Sequence, residues 1–127
     1  NKMIDTKYMT HAVICRETDN ALNISRILRD TQKRHLIVLD SKDYPVGLIS
    51  TIDINNRVVA EGKNPETLAA KDIMTKNVKI VSAEDSYDKA FKMMTELGTY
   101  SIPVIRHNKL LGLLEFMTAF KLTQKVN

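Results

Sequence analysis

The chain has 127 residues, 43% of them apolar and 27% charged, with 19 Lys and Arg against 15 Asp and Glu for a formal charge of +4. That composition excludes a disordered tail, and the length suits one domain or two small units with a common core that needs no disulfide or metal to fold. It is too short for a dinucleotide-binding domain joined to a substrate domain.

Taken in chain order, the first signal is Lys7-Tyr8-Met9-Thr10, followed by a short extended piece, Val13 to Cys15. Ile24, Ile27, Leu28 and Thr31 then recur at helical spacing, with Asp19 as the expected cap. Lys33-Arg34-His35 is the densest basic spot, and two readings stand: cations suited to a helix C-terminus, or phosphate contacts. Two strand-length apolar runs follow, Leu36 to Leu39 and Val46 to Ile49, joined by a polar stretch with Ser41, Asp43 and Pro45. A helix is expected from near Ile52 to Gly62, with Pro65 as its stop.

The same order then returns. Asp72-Ile73-Met74-Thr75 opens it and Val78 to Val81 is extended. A helix carries Ala90, Met93, Met94 and Leu97, with Asp85 as its expected cap and Gly98 as a left-handed end. Ile102 to Ile105, a His107-Asn108-Lys109 turn and Leu110 to Leu114 make a hairpin, and a last helix starts near Met117.

The return is an internal duplication. Met9 and Met74 are 65 positions apart, Leu36 and Ile102 are 66 apart, and Gly47 and Gly112 are again 65 apart. One residue is gained before the first helix and one is lost in the hairpin, both in loops. The expected fold is therefore α/β of the α+β kind, β-α-β-β-α twice, divided at residues 1–62 and 63–127. The strand runs are almost wholly apolar, so both sheet faces should be covered. One copy carries about half a core, which two copies packed face to face would complete.

These residues resemble a tandem pair of CBS domains, a Bateman module. The resemblance spans Lys7 to Leu122 and rests on several motifs. They are Asp72-Ile73-Met74-Thr75 and the weaker Lys7-Tyr8-Met9-Thr10, then Arg34-His35-Leu36-Ile37-Val38 with its mate Tyr100-Ser101-Ile102-Pro103-Val104, and the run from Gly47 to Asp53. It implies two repeats about a pseudo-twofold axis and a regulatory rather than catalytic role. It also implies an adenosine-containing ligand (AMP, ADP, ATP or S-adenosylmethionine) in the cleft between the repeats, acting on an attached or partner enzyme, channel or transporter. A homodimer is expected, and a ligand-free module for dimerisation and partner binding is the alternative.

Gly47-x-x-Ser50-x-x-Asp53 is the candidate site. A carboxylate can accept from both ribose hydroxyls, a serine hydroxyl can donate to a sugar or phosphate, and a helix N-terminus favours an anion. The resemblance puts the ribose contact on Asp53 with Ser50 beside it, and walls the cleft with Val78, Lys79, Ile80, Thr99, Tyr100 and Ser101. Ser-x-x-Asp reads equally as a helix-capping box that needs no ligand. Leu48 and Ile80 either sandwich adenine or pack in the core, and Tyr100 either stacks or fills a gap. Arg34 and His35 are candidate phosphate contacts, although His35 would alternatively face the second cleft beside Glu115. Lys79, Arg106 and His107 are further candidate cations, the last two expected to be merely exposed in their turn. The second copy departs from the pattern, with Glu115 and Thr118 in place of Ser50 and Asp53, so one competent cleft is expected.

No histidine pair has metal-ligand spacing, and neither a nucleophile-elbow serine nor a phosphate-binding Gly-rich loop occurs, so no catalytic activity or catalytic cofactor is expected. Cys15 is the single cysteine, which excludes an internal disulfide; it is expected to be a buried, inert thiol. The six Met are expected to fill the core. The basic residues are scattered rather than striped, so nucleic acid is not an expected partner. No apolar run reaches the roughly 18 residues of a membrane helix, and Asn1 to Thr10 hold no signal-type apolar stretch. A cytoplasmic protein is expected, and the start at Asn rather than Met reads as a piece of a longer chain.

Overall fold

The two helical periodicities each make a helix that buries one stripe. In the computed structural model, which describes residues 3–125, helix α1 (Ala21–Thr31) buries Ala21, Ile24 and Leu28. Helix α4 (Tyr87–Leu97) buries Tyr87, Ala90 and Met94 at the equivalent places. Both are capped one residue later than expected. Asn20 Oδ1 accepts the Asn23 N–H at 2.8 Å, and Ser86 Oγ accepts the Lys89 N–H at 3.1 Å. Asp19 and Asp85 turn back instead, each accepting a strand N–H at 2.9 Å, from Arg16 and Ser82. A short carboxylate near a strand end closes a local turn with the backbone, and the cap falls to the next residue.

Both helices end in a left-handed residue, Gln32 at φ 55° and Gly98 at φ 68°. The N–H groups of Lys33 and Thr99 then reach back to the carbonyls of Leu28 and Met94.

The apolar runs form two three-stranded sheets. One has the order β1 (Ile14–Arg16), β2 (His35–Leu39), β3 (Pro45–Ser50). The other has the order β4 (Val81–Ser82), β5 (Ser101–Arg106), β6 (Lys109–Glu115). In each, the first pair is parallel and the second antiparallel. Leu36 to Leu39 are all buried, as a central strand covered on both faces must be. Strand β1 starts one residue later than the extended piece expected at Val13 to Cys15, and β4 has two residues, fewer than the piece expected at Val78 to Val81. His107 and Asn108 both have positive φ, 52° and 61°, which makes the β5–β6 connection the two-residue turn that matches strand twist.

The helix expected from Ile52 to Gly62 is interrupted. Helix α2 (Thr51–Ile54) widens into a π-turn, Asn55–Val59, closed by the Ala60 N–H on the Asn55 carbonyl at 2.8 Å. Val58 is buried within this wider turn and Val59 points outward. Its counterpart after β6 is α5 (Phe116–Lys125).

The two opening motifs fold as single turns of helix: a 3-10 turn, Thr6–Tyr8, and helix α3 (Ala70–Ile73). Each then pairs with the other repeat's strand. Thr10 and Leu113 exchange N–H···O bonds of 2.8 and 2.9 Å, and Leu48 and Thr75 exchange bonds of 2.9 and 2.8 Å. Gly47 and Gly112 make this approach possible. A Cβ on Gly47 would lie 2.9 Å from Met74 Cβ, and one on Gly112 would lie 2.9 Å from the Thr10 carbonyl oxygen.

The compact units consequently differ from the division at residue 62, which follows element order. One is Val13–Val78 and the other is Asn1–Ala12 with Lys79–Asn127. The outermost residues of that division, 1, 2, 126 and 127, lie outside the described residues. Each unit has its own core. Ile24, Leu36, Val38, Ile49 and Ile73 anchor the first; Val81, Met94, Ile102, Val104 and Leu114 anchor the second. Met74 and Met94 are core residues as expected, whereas Met117 is 58% exposed.

Candidate functional site

Ser50 ends β3 and caps α2. Its Oγ accepts the Asp53 N–H at 3.1 Å, while Asp53 Oδ2 accepts the Ser50 N–H at 2.8 Å and the Ser50 hydroxyl at 3.2 Å. This is a complete capping box, so the capping reading of Ser-x-x-Asp is realised. Helix α2 has four residues before the π-turn, so the N-terminal dipole available to an anion is that of a single turn.

The box leaves the two carboxylate oxygens unequal. Oδ2 holds both serine donors, whereas among the described residues Oδ1 faces Arg57 Nε, at 3.6 Å. The Asp53 side chain is 16% exposed, so the carboxylate is sheltered without being sealed from solvent. Arg57 was absent from the sequence-derived candidates. Its Nη1 donates to the carbonyls of Ile73 and Met74, at 3.0 Å each, so one guanidinium spans the Asp53 carboxylate and the end of α3. The spacing of four residues from Asp53 was the available signal; the carbonyl partners had none.

Strand register brings two of the basic candidates, Arg34 and His35, to the same place. His35 lies opposite Ser50, and the Thr51 N–H donates to the Arg34 carbonyl at 2.9 Å. Arg34, His35, Ser50 and Asp53 therefore gather at one end of the β2–β3 pair, with both basic side chains exposed. Leu48, half-buried on β3, pairs with Ile37 on one side and Thr75 on the other. Val78, half-buried, closes this unit.

The remaining candidates belong to the other unit. Lys79 and Ile80 lead into β4, exposed and half-buried respectively. Thr99, Tyr100 and Ser101 lie at the end of the β5–β6 pair that matches the Asp53 end of β2–β3: Ser101 is opposite Glu115, and the Phe116 N–H donates to the Tyr100 carbonyl at 2.7 Å. Tyr100 is 86% exposed, so its ring fills no gap in the core. Glu115 is exposed, and among the described residues no capping hydrogen bond joins it to Thr118. The change from Ser and Asp to Glu and Thr has removed the box as well as its residues.

Cys15 is 2% exposed. Burial, with the nearby Asp19 charge adding to it, pushes its thiol from an ordinary 9.0 up to about 12. It stays protonated and is no nucleophile at neutral pH. Among the described residues, no group of three or more His, Cys, Asp or Glu could hold a metal ion, and no helix is long and apolar enough to cross a membrane.

The sequence matches the CBS domain family over residues 5–60 and 70–117. It is 32% identical over 97 residues to the uncharacterized protein MK0525 of Methanopyrus kandleri, a match covering 76% of this chain and 50% of that protein. The chain thus spans half the length of this curated relative, and 15% and 21% of two others. Among solved structures, Hypoxic Response Protein I with two coordinated zinc ions superposes with a TM-score of 0.77 at 21% identity, covering 91% of this chain and 95% of that one. A signal-transduction protein with CBS domains from Burkholderia ambifaria superposes with a TM-score of 0.68 at 23% identity, covering 94% and 86%. At these identities the structural likenesses speak for the fold.

Proposed function

The chain belongs to the CBS-domain family as a tandem pair, and from that premise we propose that it is a regulatory module that binds an adenosine-containing ligand through Asp53. AMP, ADP, ATP and S-adenosylmethionine are the ligands in view. The observation that supports this most is the state of the Asp53 carboxylate. It is positioned by Ser50 through one oxygen, its other oxygen faces Arg57, and it lies at the strand end that also carries the exposed Arg34 and His35. A carboxylate oxygen has lone pairs enough to take ribose hydroxyls while its neighbour keeps the cap. In this reading Ser50 and Leu48 complete the near wall, Arg34 and His35 meet phosphate, and Val78, Lys79, Ile80, Thr99, Tyr100 and Ser101 supply the remaining contacts. Ligand binding shifts the population of arrangements towards the one it prefers, and an attached or partner enzyme or transporter responds.

The test is a thermal melt with each ligand, on the wild type and on Asp53→Asn. Asparagine keeps an acceptor for the Ser50 N–H but lacks the charge. A ligand at a hundredfold its dissociation constant should add about 2.7 kcal/mol to the wild type. Asp53→Asn should remain folded and lose that gain; equal gains in both proteins would remove Asp53 from the site.

A ligand-free assembly module, with the chain as a homodimer, is the second reading. It is favoured by apolar side chains left in the open: Ile52 and Val59 at 66% and 67% exposure in one unit, Met117 and Phe120 at 58% and 39% in the other. A melt indifferent to every adenosyl compound, together with a dimer in sedimentation, would decide for it.

A further inference from the structure

A cavity of about 610 Å³ lies wholly within the unit of Asn1–Ala12 and Lys79–Asn127, away from Asp53 in sequence and in unit. The N-terminal arm forms one wall. It is fixed there by the Ile4 N–H on the Ala83 carbonyl at 2.8 Å and by the Asp5 N–H on the Tyr87 hydroxyl oxygen at 2.9 Å. The Tyr8 ring meets the Tyr87 ring edge-on, with centroids 6.3 Å apart. Arg106 and Leu111 of the β5–β6 hairpin and Leu122 of α5 complete the lining.

The polar groups facing this space are mostly donors. Lys7 and Arg106 both line it, and among the described residues neither has a carboxylate partner. The Lys7 ammonium stands 5.1 Å from the centre of the Tyr8 ring. Tyr87 is 6% exposed, and its hydroxyl oxygen accepts from Asp5 while its own proton meets no acceptor among the described residues. Among the described residues the one carboxylate in the lining, Asp5, already accepts the Lys7 N–H at 3.0 Å. Among the described lining residues, one acid against two bases leaves a single positive charge in excess.

The duplication shows that the fold does not require this. The residues equivalent to Lys7, Arg106 and Tyr87 in the other unit are Asp72, Asp40 and Ala21, so both charges are reversed and the hydroxyl is missing. We infer that this cavity is a second, separate binding site, for a small organic anion with an apolar or aromatic body. The anionic group lies between Lys7, Arg106 and the Tyr87 hydroxyl, and the body lies against Leu111 and Leu122. The volume is within the range of small-molecule sites, and apolar walls with a few convergent polar groups are their usual lining.

Carboxylates and phosphate monoesters share this chemistry, so both are used as probes. The chain is titrated with benzoate, phenyl phosphate and inorganic phosphate while its backbone amide NMR shifts are followed. Saturable shifts are expected at Asp5 to Tyr8, Tyr87 and Arg106 to Leu111. The better aromatic anion should bind at least about tenfold more tightly than inorganic phosphate, and whichever of the two it is names the headgroup. Arg106→Glu, at an exposed strand end, should weaken binding at least about tenfold. Tyr87→Phe should weaken it less and keep the ring packing, and Asp53→Asn should leave it unchanged. Failure of any probe to saturate, shifts centred on Ser50 to Asp53, inorganic phosphate binding equally well, or full binding by Arg106→Glu would each overturn the inference.

Discussion

Gly47→Ala tests the docking of α3 onto β3. A Cβ at this position would lie 2.7 Å from Met74 Cγ and 2.9 Å from Met74 Cβ, with Met74 Sδ closer still. Carbon atoms in good contact sit about 3.5–4.0 Å apart. The Met74 Sδ and Cγ can swing aside, but its Cβ is fixed to the backbone. That backbone is held by the reciprocal Leu48–Thr75 bonds at 2.9 and 2.8 Å, and by Arg57 on the Ile73 and Met74 carbonyls at 3.0 Å each. The alanine methyl must therefore lift the segment or strain the strand. Overpacking of this kind costs about 1–3 kcal/mol, and opening the two bridging hydrogen bonds adds about 1 kcal/mol each. The expected destabilisation is about 3–5 kcal/mol, read as a lower urea midpoint at unchanged slope. Met74→Ala alone should cost about 2–5 kcal/mol by leaving a cavity. Combined, each change relieves part of the other, so the double variant should be more stable than the two single losses predict by at least about 1 kcal/mol. A neutral Gly47→Ala, or strict additivity in the double variant, would refute the contact.

Asn20→Ala and Ser86→Ala should each cost about 1 kcal/mol in urea titration, because each removes the cap of an eleven-residue helix. Cys15 should resist disulfide-exchange reagents in the native state at pH 8 and react once the chain is unfolded. The unfolded thiol ionises near 9.0 while the folded one holds its proton to about 12, so the unfolded state binds fewer protons between those values. Stability should fall as pH rises through that interval, and Cys15→Ala should lose this part of the slope in melts against pH. Tyr100→Ala should change stability by less than about 0.5 kcal/mol, since the ring is 86% exposed; a larger loss would mean that the ring is packed.

Local chemistry made much of the molecule readable in advance. The two helices, the four long strand runs and the duplication follow from spacing along the chain, and spacing is a property of neighbours. Apolar side chains at i, i+3 and i+4 bury one stripe wherever the helix is placed. The candidate site was legible to the same extent. Ser50 and Asp53 are three residues apart, and their reciprocal bonds form within one turn. Where two local outcomes competed, as at Asp19 and Asp85, the residue type alone could not choose between capping a helix and closing a turn.

What depended on the tertiary structure was everything joined across long stretches of chain. Arg57 finds its carbonyl partners sixteen and seventeen residues downstream. Thr10 pairs with Leu113 of the second copy, and Thr75 with Leu48 of the first, although nothing in either segment states which copy's strand it will meet. Lys7, Tyr87 and Arg106 are unremarkable apart in the sequence and become one lining only when the N-terminal arm is laid beside the second repeat. A hydrogen bond or a charge acts over a few ångströms of space, and sequence separation bears no fixed relation to that distance until the chain is folded.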